Sequence, residues 1–374
     1  MSGSRTGTTK AEVVLLATHK QLAPHEVVVH QVLARQIARL LGAVFVGFHD
    51  STVHKGPGLY FIPSDTLIGA DMSDALDIRS VDDLFGGLAS EPFMATKAIS
   101  HPLPESSSAR PSGWSDEFHR QAGAAVLTGF TTFDLNDALM AGTQLLANGP
   151  VRIKPVLATA GRGQIVARSE EELANAIAEQ DSDKVRHWGL VVEENLQDVV
   201  TYSVGQVQVA GMTASYHGTQ SLTTDNQGET VYGGSRLWIV RGDYDVLLSQ
   251  DLDTSVRQAV EHAMVYDRAA CACFPGLIAS RRNYDIAQGT NARGQVCSGV
   301  LEQSWRIGGA SPAEIEALTA FARDPALQRI QVSTHEIYGQ TRLPANARVL
   351  YEGDDPHVGF ITKFIQVEPY ECAQ

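Results

Sequence analysis

Apolar residues recur along the chain at two spacings, and the switches between them outline the elements. Glu12–Ala17 (EVVLLA) is a short continuous apolar run bounded by polar residues, the mark of a buried strand. From about Pro24 to Leu41, Val29, Leu33, Ile37 and Leu40 fall on one face at helical spacing. Gly42 stops that helix. Ala43–Phe48 and Gly58–Ile62 then read as a second and third strand. Strand, helix and strand at this spacing predict a small α/β unit with a parallel sheet.

Further along, residues 102–116 form a loop rich in Pro, Ser and Gly. A helix is predicted over Asp134–Leu146, a strand over Val151–Val156, and a returning strand over Gln164–Ala167. Ser169-Glu-Glu-Glu172 is a capping box that opens a helix through Leu173 and Ile177. From Trp188 to about Arg241 the pattern is β, with a strand at Leu190–Glu193, alternation over Val200–Val209 and a turn at Asp225–Gly228. Leu252–Ala272 is helical. Gly276–Asp285 and Gln295–Glu302 read as paired strands around the turn Gly289–Gly294. Ser311-Pro-Ala-Glu314 is a second capping box, with Pro at the first helical position, starting a helix through Phe321. Ile330–Glu368 reads as short β segments and loops, and no internal repeat is visible.

Composition narrows the class. At 374 residues the chain suits two or three packed subdomains, and 43% hydrophobic residues suffice for a sizeable core. A formal net charge of -14 argues against broad binding to nucleic acid or anionic membranes, which needs a basic surface. No apolar run is long enough to span a bilayer and no secretory h-region is present, so a cytoplasmic location is expected. Cys271, Cys273, Cys297 and Cys372 lack zinc-ligand spacing and are expected to be buried free thiols.

Chemistry concentrates in three places. Lys154 ends a strand before Ala160-Gly161-Arg162-Gly163-Gln164, a glycine loop that can bring backbone N–H groups close to phosphates. The same glycines also suit a plain hairpin turn. The buried run Leu190-Val-Val-Glu193-Glu194-Asn-Leu196 ends in two acids, as a strand end serving adenine would, or a strand entering a solvated loop. Asp285 and Glu302 lie in neighbouring predicted strands, where they can face each other and share a hard cation. Arg306 and the start of the capped helix after it form an anion site. Arg281 and Arg282, just before the metal acid, are candidates for an acyl phosphate or a substrate carboxylate. Tyr216–Gln220 and Tyr232–Ser235 are candidate pocket walls.

In this order the motifs resemble the ATP-grasp superfamily over roughly residues 90–320. They look closest to an uncharacterised bacterial branch with segments like EQSWRIGGAS, SRRNYD and TYSVGQV. The resemblance implies an ATP-grasp fold, α/β and α+β in class, behind an N-terminal α/β (pre-ATP-grasp) domain. The expected parts are a disordered tail at 1–10, the N-terminal domain at 11–96, ATP-grasp subdomains at 97–187 and 188–325, and a C-terminal β/loop segment at 326–374. It implies that Lys97 and Lys154 hold nucleotide phosphates under a closing glycine loop, with Glu193, Glu194 and Leu196 at the adenine hinge. Asp285 and Glu302 would bind Mg²⁺ or Mn²⁺, and Arg306 phosphate. Ser304 stands where the family usually has Asn, and Asp198 lies near the expected ribose acid, beside Thr201.

The activity so implied is an ATP-dependent ligase joining a small-molecule carboxylate to an amine, possible as a homodimer, with no nucleic-acid or membrane partner. Two alternatives fit the same residues. One is a phosphotransferase that leaves phosphate on its product. The other, prompted by Ser304, is a nucleotide-binding protein without turnover.

Overall fold

The computed structural model describes residues 10–18, 22–157, 163–368 and 370. Expectations for the tail before Lys10, for Gly161, Arg162 and Cys372 therefore lie outside the described residues.

The chain opens with β1 (Glu12–Leu16), α1 (Pro24–Leu41), β2 (Val44–Phe48) and β3 (Leu59–Pro63). The strands form a parallel sheet in the order β2-β1-β3. Gly42 ends α1 in the left-handed region at φ 68°, which glycine enters without steric cost. Next come β4 (Leu67–Ile68), α2 (Ala70–Leu76) and β5 (Gly87–Ala89). Two 3-10 turns, Pro92–Ala95 and Lys97–Ser100, then lead to α3 (Asp116–Ala122).

A four-stranded antiparallel sheet follows, in the order β6-β9-β7-β8. Its elements are β6 (Gly129–Thr132), α4 (Leu135–Leu146), β7 (Val151–Pro155), β8 (Ile165–Ala167), α5 (Glu170–Ala178), α6 (Ser182–Trp188) and β9 (Leu190–Glu194). Strand alternation splits it into two faces. Val151, Ile153, Leu190 and Val192 pack with residues of α4 and α5, while Arg152, Lys154 and Glu193 point the other way.

The remaining elements build an eight-stranded sheet in the order β15-β14-β10-β11-β12-β16-β18-β17. They are β10 (Gln197–Val209), β11 (Met212–Thr224), β12 (Thr230–Arg241), α7 (Tyr244–Leu248), α8 (Thr254–Cys273), β13 (Ile278–Ala279), β14 (Arg281–Thr290), β15 (Val296–Ser304), α9 (Ser311–Arg323), β16 (Arg329–Tyr338), β17 (Arg348–Asp355) and β18 (Gly359–Glu368). One face packs on α8 through Tyr284, Ile286 and Val300. The other packs on α1 and α9 through Val207, Tyr216, Ile239 and Val332. Among the described residues no helix is long and apolar enough to cross a membrane.

Three expectations need correction. The C-terminal region is not short segments and loops, because β16, β17 and β18 are full members of the large sheet. The second capping box does not form. Ser311 lies inside α9, its hydroxyl accepts from the Gly308 N–H, and Glu314 turns inward to a buried arginine. The described cysteines are free, but Cys271 is exposed and Cys273 and Cys297 are half-buried.

Candidate functional site

The bare face of the four-stranded sheet looks across a cleft at the end of the eight-stranded sheet that α9 leaves uncovered. Between them lies a cavity of ≈ 400 Å³. Lys154, Gln164, Glu193, Glu194 and Leu196 line it from one side, and Gln220, Tyr232, Asp285 and Glu302 from the other.

Asp285 and Glu302 are direct cross-strand partners in the β14–β15 hairpin. The register slips between Asp285 and Ile286, since Ile286 pairs with Val300 and leaves Leu301 as the extra residue. This bulge lets Leu301 and Glu302 both line the cavity, as bulges beside functional sites do. Burial, and then the Glu302 charge, push the Asp285 carboxyl up to about 7, against a 2.8 Å hydrogen bond from Gln220 Nε2. Two hard oxygen ligands that repel each other suit Mg²⁺ or Mn²⁺, whose charge would relieve that repulsion. Among the described residues no three His, Cys, Asp or Glu side chains cluster to hold a metal. Such a pair therefore fits an ion that takes its other ligands from phosphate and water.

The lysines approach from two sides. Lys97 Nζ lies 2.5 Å from Glu302 Oε2. Lys154 Nζ donates to Leu301 O at 3.3 Å and to Glu193 Oε1 at 3.0 Å. The other Glu193 oxygen lies 2.9 Å from His101 Nε2. Burial would raise the Glu193 pKa, but the Lys154 charge and the His101 hydrogen bond outweigh it and hold it at about 2. Both Glu193 oxygens are thus engaged within the protein, and this carboxylate anchors Lys154 at the cavity wall. Glu194 accepts from the Thr128 N–H at 3.0 Å.

The structure separates other candidates from this cavity. Asp198 is exposed and does not line it, whereas Thr201 does. The Asp198 backbone is left-handed at φ 52°, and the β10–β14 register is interrupted between Gln197 and Val200. Arg282 points to the α8 face and pairs with Asp267 at 3.2 Å. Arg281 is buried and grips Glu314, with Nη2 to Oε1 at 2.8 Å. Its Nη1 donates to Ser304 O at 3.1 Å, Ser304 Oγ at 3.2 Å and Arg306 O at 2.8 Å. Neither arginine is placed to touch a substrate in the cavity. Arg281 instead fixes the turn that carries Arg306 and occupies the Ser304 hydroxyl. Ser304, Arg306, Lys97 and Glu302 line a second cavity of ≈ 240 Å³, so Glu302 sits on both.

Sequence reasoning missed His101 and Arg152. Arg152 ties Gln164 Oε1 at 3.1 Å to Asn195 Oδ1 at 2.7 Å, joining the end of the glycine loop to the end of β9. Its position alternating with Lys154 in one strand was the available signal. His101 carried none, because its partner is distant in the chain. Of the suspected wall segments, Gln220 and Tyr232 line the cavity, while His217 faces away and stacks on Trp238 at 5.3 Å.

A family model matches residues 13–365, nearly the whole chain. The chain belongs to the family described as protein of unknown function DUF3182. No curated protein matches it significantly. Among solved structures it is similar to phosphoribosylamine–glycine ligase from Thermotoga maritima, with a TM-score of 0.50 and 11% identity, over 96% of this chain and 92% of that one. D-alanyl-alanine synthetase A from Vibrio cholerae aligns with a TM-score of 0.47 at 13% identity, over 84% and 97%. A RimK domain ATP-grasp protein from Sphaerobacter thermophilus gives 0.38 at 10% identity, over 82% and 98%. The fold of this DUF3182 member is the ATP-grasp fold, of mixed α/β class.

Proposed function

We propose that the protein is an ATP-dependent ligase that activates a carboxylate as an acyl phosphate and couples it to an amine or similar nucleophile. One observation carries this reading: Asp285 and Glu302 face each other in a cavity that Lys154 enters from the opposite sheet. The Thermotoga maritima neighbour, a phosphoribosylamine–glycine ligase, agrees with it.

In the proposed reaction a substrate carboxylate oxygen attacks the γ-phosphorus, and the bond to the β,γ-bridging oxygen breaks to release ADP. The neutral amine nitrogen then attacks the acyl carbon, phosphate leaves with the C–O electron pair, and the nitrogen gives up one proton to form the amide. Mg²⁺ or Mn²⁺ held by Asp285 and Glu302 would offset charge on the triphosphate oxygens. Lys154, fixed by Glu193 and Leu301 O, presents a positioned cation to the same oxygens. Lys97 does so from the Glu302 side, and Arg306 serves the acyl phosphate from the neighbouring turn.

Incubating the protein with ATP, Mg²⁺, hydroxylamine and a panel of carboxylic acids should yield ADP and a hydroxamate. Absence of both across the panel refutes ligase chemistry. Full activity in a Glu302→Ala protein refutes the metal assignment. A second reading, nucleotide binding without turnover, draws on the Ser304 hydroxyl being held by Arg281. Saturable ATP binding with no ADP formed would favour it.

A further inference from the structure

The Asp285–Glu302 cavity holds one more hard oxygen that the chemistry above leaves unused. Gln220 lines it from β11 and reaches across β10 to Asp285, its Nε2 donating to Oδ1 at 2.8 Å. The other amide atom, Oε1, has no donor among the described residues.

The backbone aims this side chain. Gln220 and Leu222 share the cavity side of β11. The β11–β12 register slips between Ser221 and Leu222, leaving Gly233 as the extra residue. An added Cβ at Gly233 would lie 2.9 Å from Thr223 Cβ, and one at Gly234, φ 141°, 2.0 Å from Thr334 O. Tyr232-Gly-Gly-Ser235 is therefore a bulge that requires its glycines. It is the counterpart of the bulge at Leu301, with β14, β10 and β11 between the two. Neutral oxygens nearby are placed otherwise. Ser304 faces the second cavity, its hydroxyl held by Arg281 Nη1 at 3.2 Å. The Tyr232 hydroxyl bonds Ser235 Oγ at 2.6 Å. Thr201 pairs with Ala287, two residues along β14 from Asp285, a separation of about 7 Å.

We propose that Gln220 is the third protein ligand of the divalent ion, its amide oxygen joining one oxygen each from Asp285 and Glu302. This rests on the metal role given to the acid pair above, and the amide takes the place of one water. Mg²⁺ holds oxygens at about 2.1 Å in an octahedron, so adjacent ligand atoms stand about 3.0 Å apart. The Gln220 amide and Asp285 Oδ1 already stand 2.8 Å apart. Half a turn about the last torsion, which has a broad two-fold profile, puts Oε1 where Nε2 lies. Without a cation that turn sets two oxygens against each other, so the amide donates to the acid instead. A neutral third ligand also adds no charge to two carboxylates that already repel.

Mn²⁺ bound with a non-hydrolysable ATP analogue tests this. Its affinity is measured by titration, and the waters on the ion are counted by electron–nuclear double resonance in isotopically labelled water. Gln220→Met keeps the length of the side chain without the oxygen. It should weaken Mn²⁺ by about ten-fold or more and add one water to the ion. Gln220→Glu, which keeps an oxygen there but cannot donate to Asp285, should show the parent's count. Ser304→Ala should change neither quantity. An unchanged count in Gln220→Met overturns the inference even if affinity falls, because a lost hydrogen bond to Asp285 leaves the coordination intact. A count below the parent's in Gln220→Glu, or an added water in Ser304→Ala, also overturns it. Those outcomes spare the acid pair. A parent that binds no Mn²⁺ with the analogue removes the acid-pair reading and this inference together.

Discussion

Replacing Arg281 by Met should unfold the molecule far more readily than a typical single substitution. Arg281 is 1% exposed and Glu314 0%. They meet through Nε and Nη2, and Tyr216 donates to the same carboxylate at 2.6 Å. Burial alone would lower the Arg281 pKa, but the Glu314 charge outweighs it and raises it. Arg281→Met leaves Glu314 charged without its counter-ion, with only the Tyr216 hydroxyl donating to it, which costs about 3–5 kcal/mol for a buried pair broken on one side. Adding Glu314→Leu removes that orphan. The double variant, like Arg281→Met, lacks the donors to Ser304 O, Ser304 Oγ and Arg306 O, and it loses in addition only the acceptor of the Tyr216 hydroxyl, about 1 kcal/mol. It should therefore be more stable than Arg281→Met alone by about 2 kcal/mol. Urea denaturation gives all three values, provided the m-value is unchanged. The double variant should fold yet lose ATP-dependent hydroxamate formation, because the turn carrying Arg306 has lost its anchor. A cost under about 1 kcal/mol for Arg281→Met, or full activity in the double variant, refutes this reasoning.

Three further outcomes are expected. Asp285→Asn removes a carboxyl that burial and Glu302 disfavour, so at pH 8 the metal-free variant should melt above the parent. It should also lose the thermal shift that Mg²⁺ with a non-hydrolysable ATP analogue gives the parent, and a retained shift would count against the metal pair. Lys154→Met unpairs Glu193, whose pKa of about 2 lies below its unfolded value of 4.5. Stability from that pair is present above pH 4.5 and lost as pH falls toward 2, so the variant's deficit in urea should be about 3–5 kcal/mol at pH 7 and shrink at pH 3. An equal deficit at both pH values would contradict this. His217, 4% exposed against Trp238, is held by burial at about 4 rather than 6.5. The unfolded chain takes up that proton first, so stability falls between pH 6.5 and 4, by on the order of 3 kcal/mol. His217→Gln should flatten the fall, and parallel melting curves for the two proteins would exclude the effect.

What could be read beforehand was local. The period of Val29, Leu33 and Ile37 marked α1, and the turn before Gln295 set Asp285 opposite Glu302 in a hairpin. The bulge at Leu301 was invisible, because a one-residue slip leaves no mark in composition. So was the 3-10 segment that brings Lys97 to Glu302 and His101 to Glu193, whose partners lie far along the chain. The C-terminal strands were under-read because their faces carry Ser333, Thr334, Thr362 and Gln331, buried polar residues that break the apolar alternation.

Glu314 shows why such errors arise. Ser311-Pro-Ala-Glu314 satisfies the local capping rule, and a cap is worth about 1 kcal/mol. The same carboxylate also lies beneath Arg281, and leaving that guanidinium buried without a partner would cost several times more, about 3–5 kcal/mol. The greater of the two energies decides the rotamer, and Ser311 then accepts from Gly308 instead. The same demand falls on Glu193, which a local reading assigns to a nucleotide and which the buried Lys154 also requires as its counter-ion. Acids in an apolar run are therefore better assigned by asking which buried cation would be stranded without them.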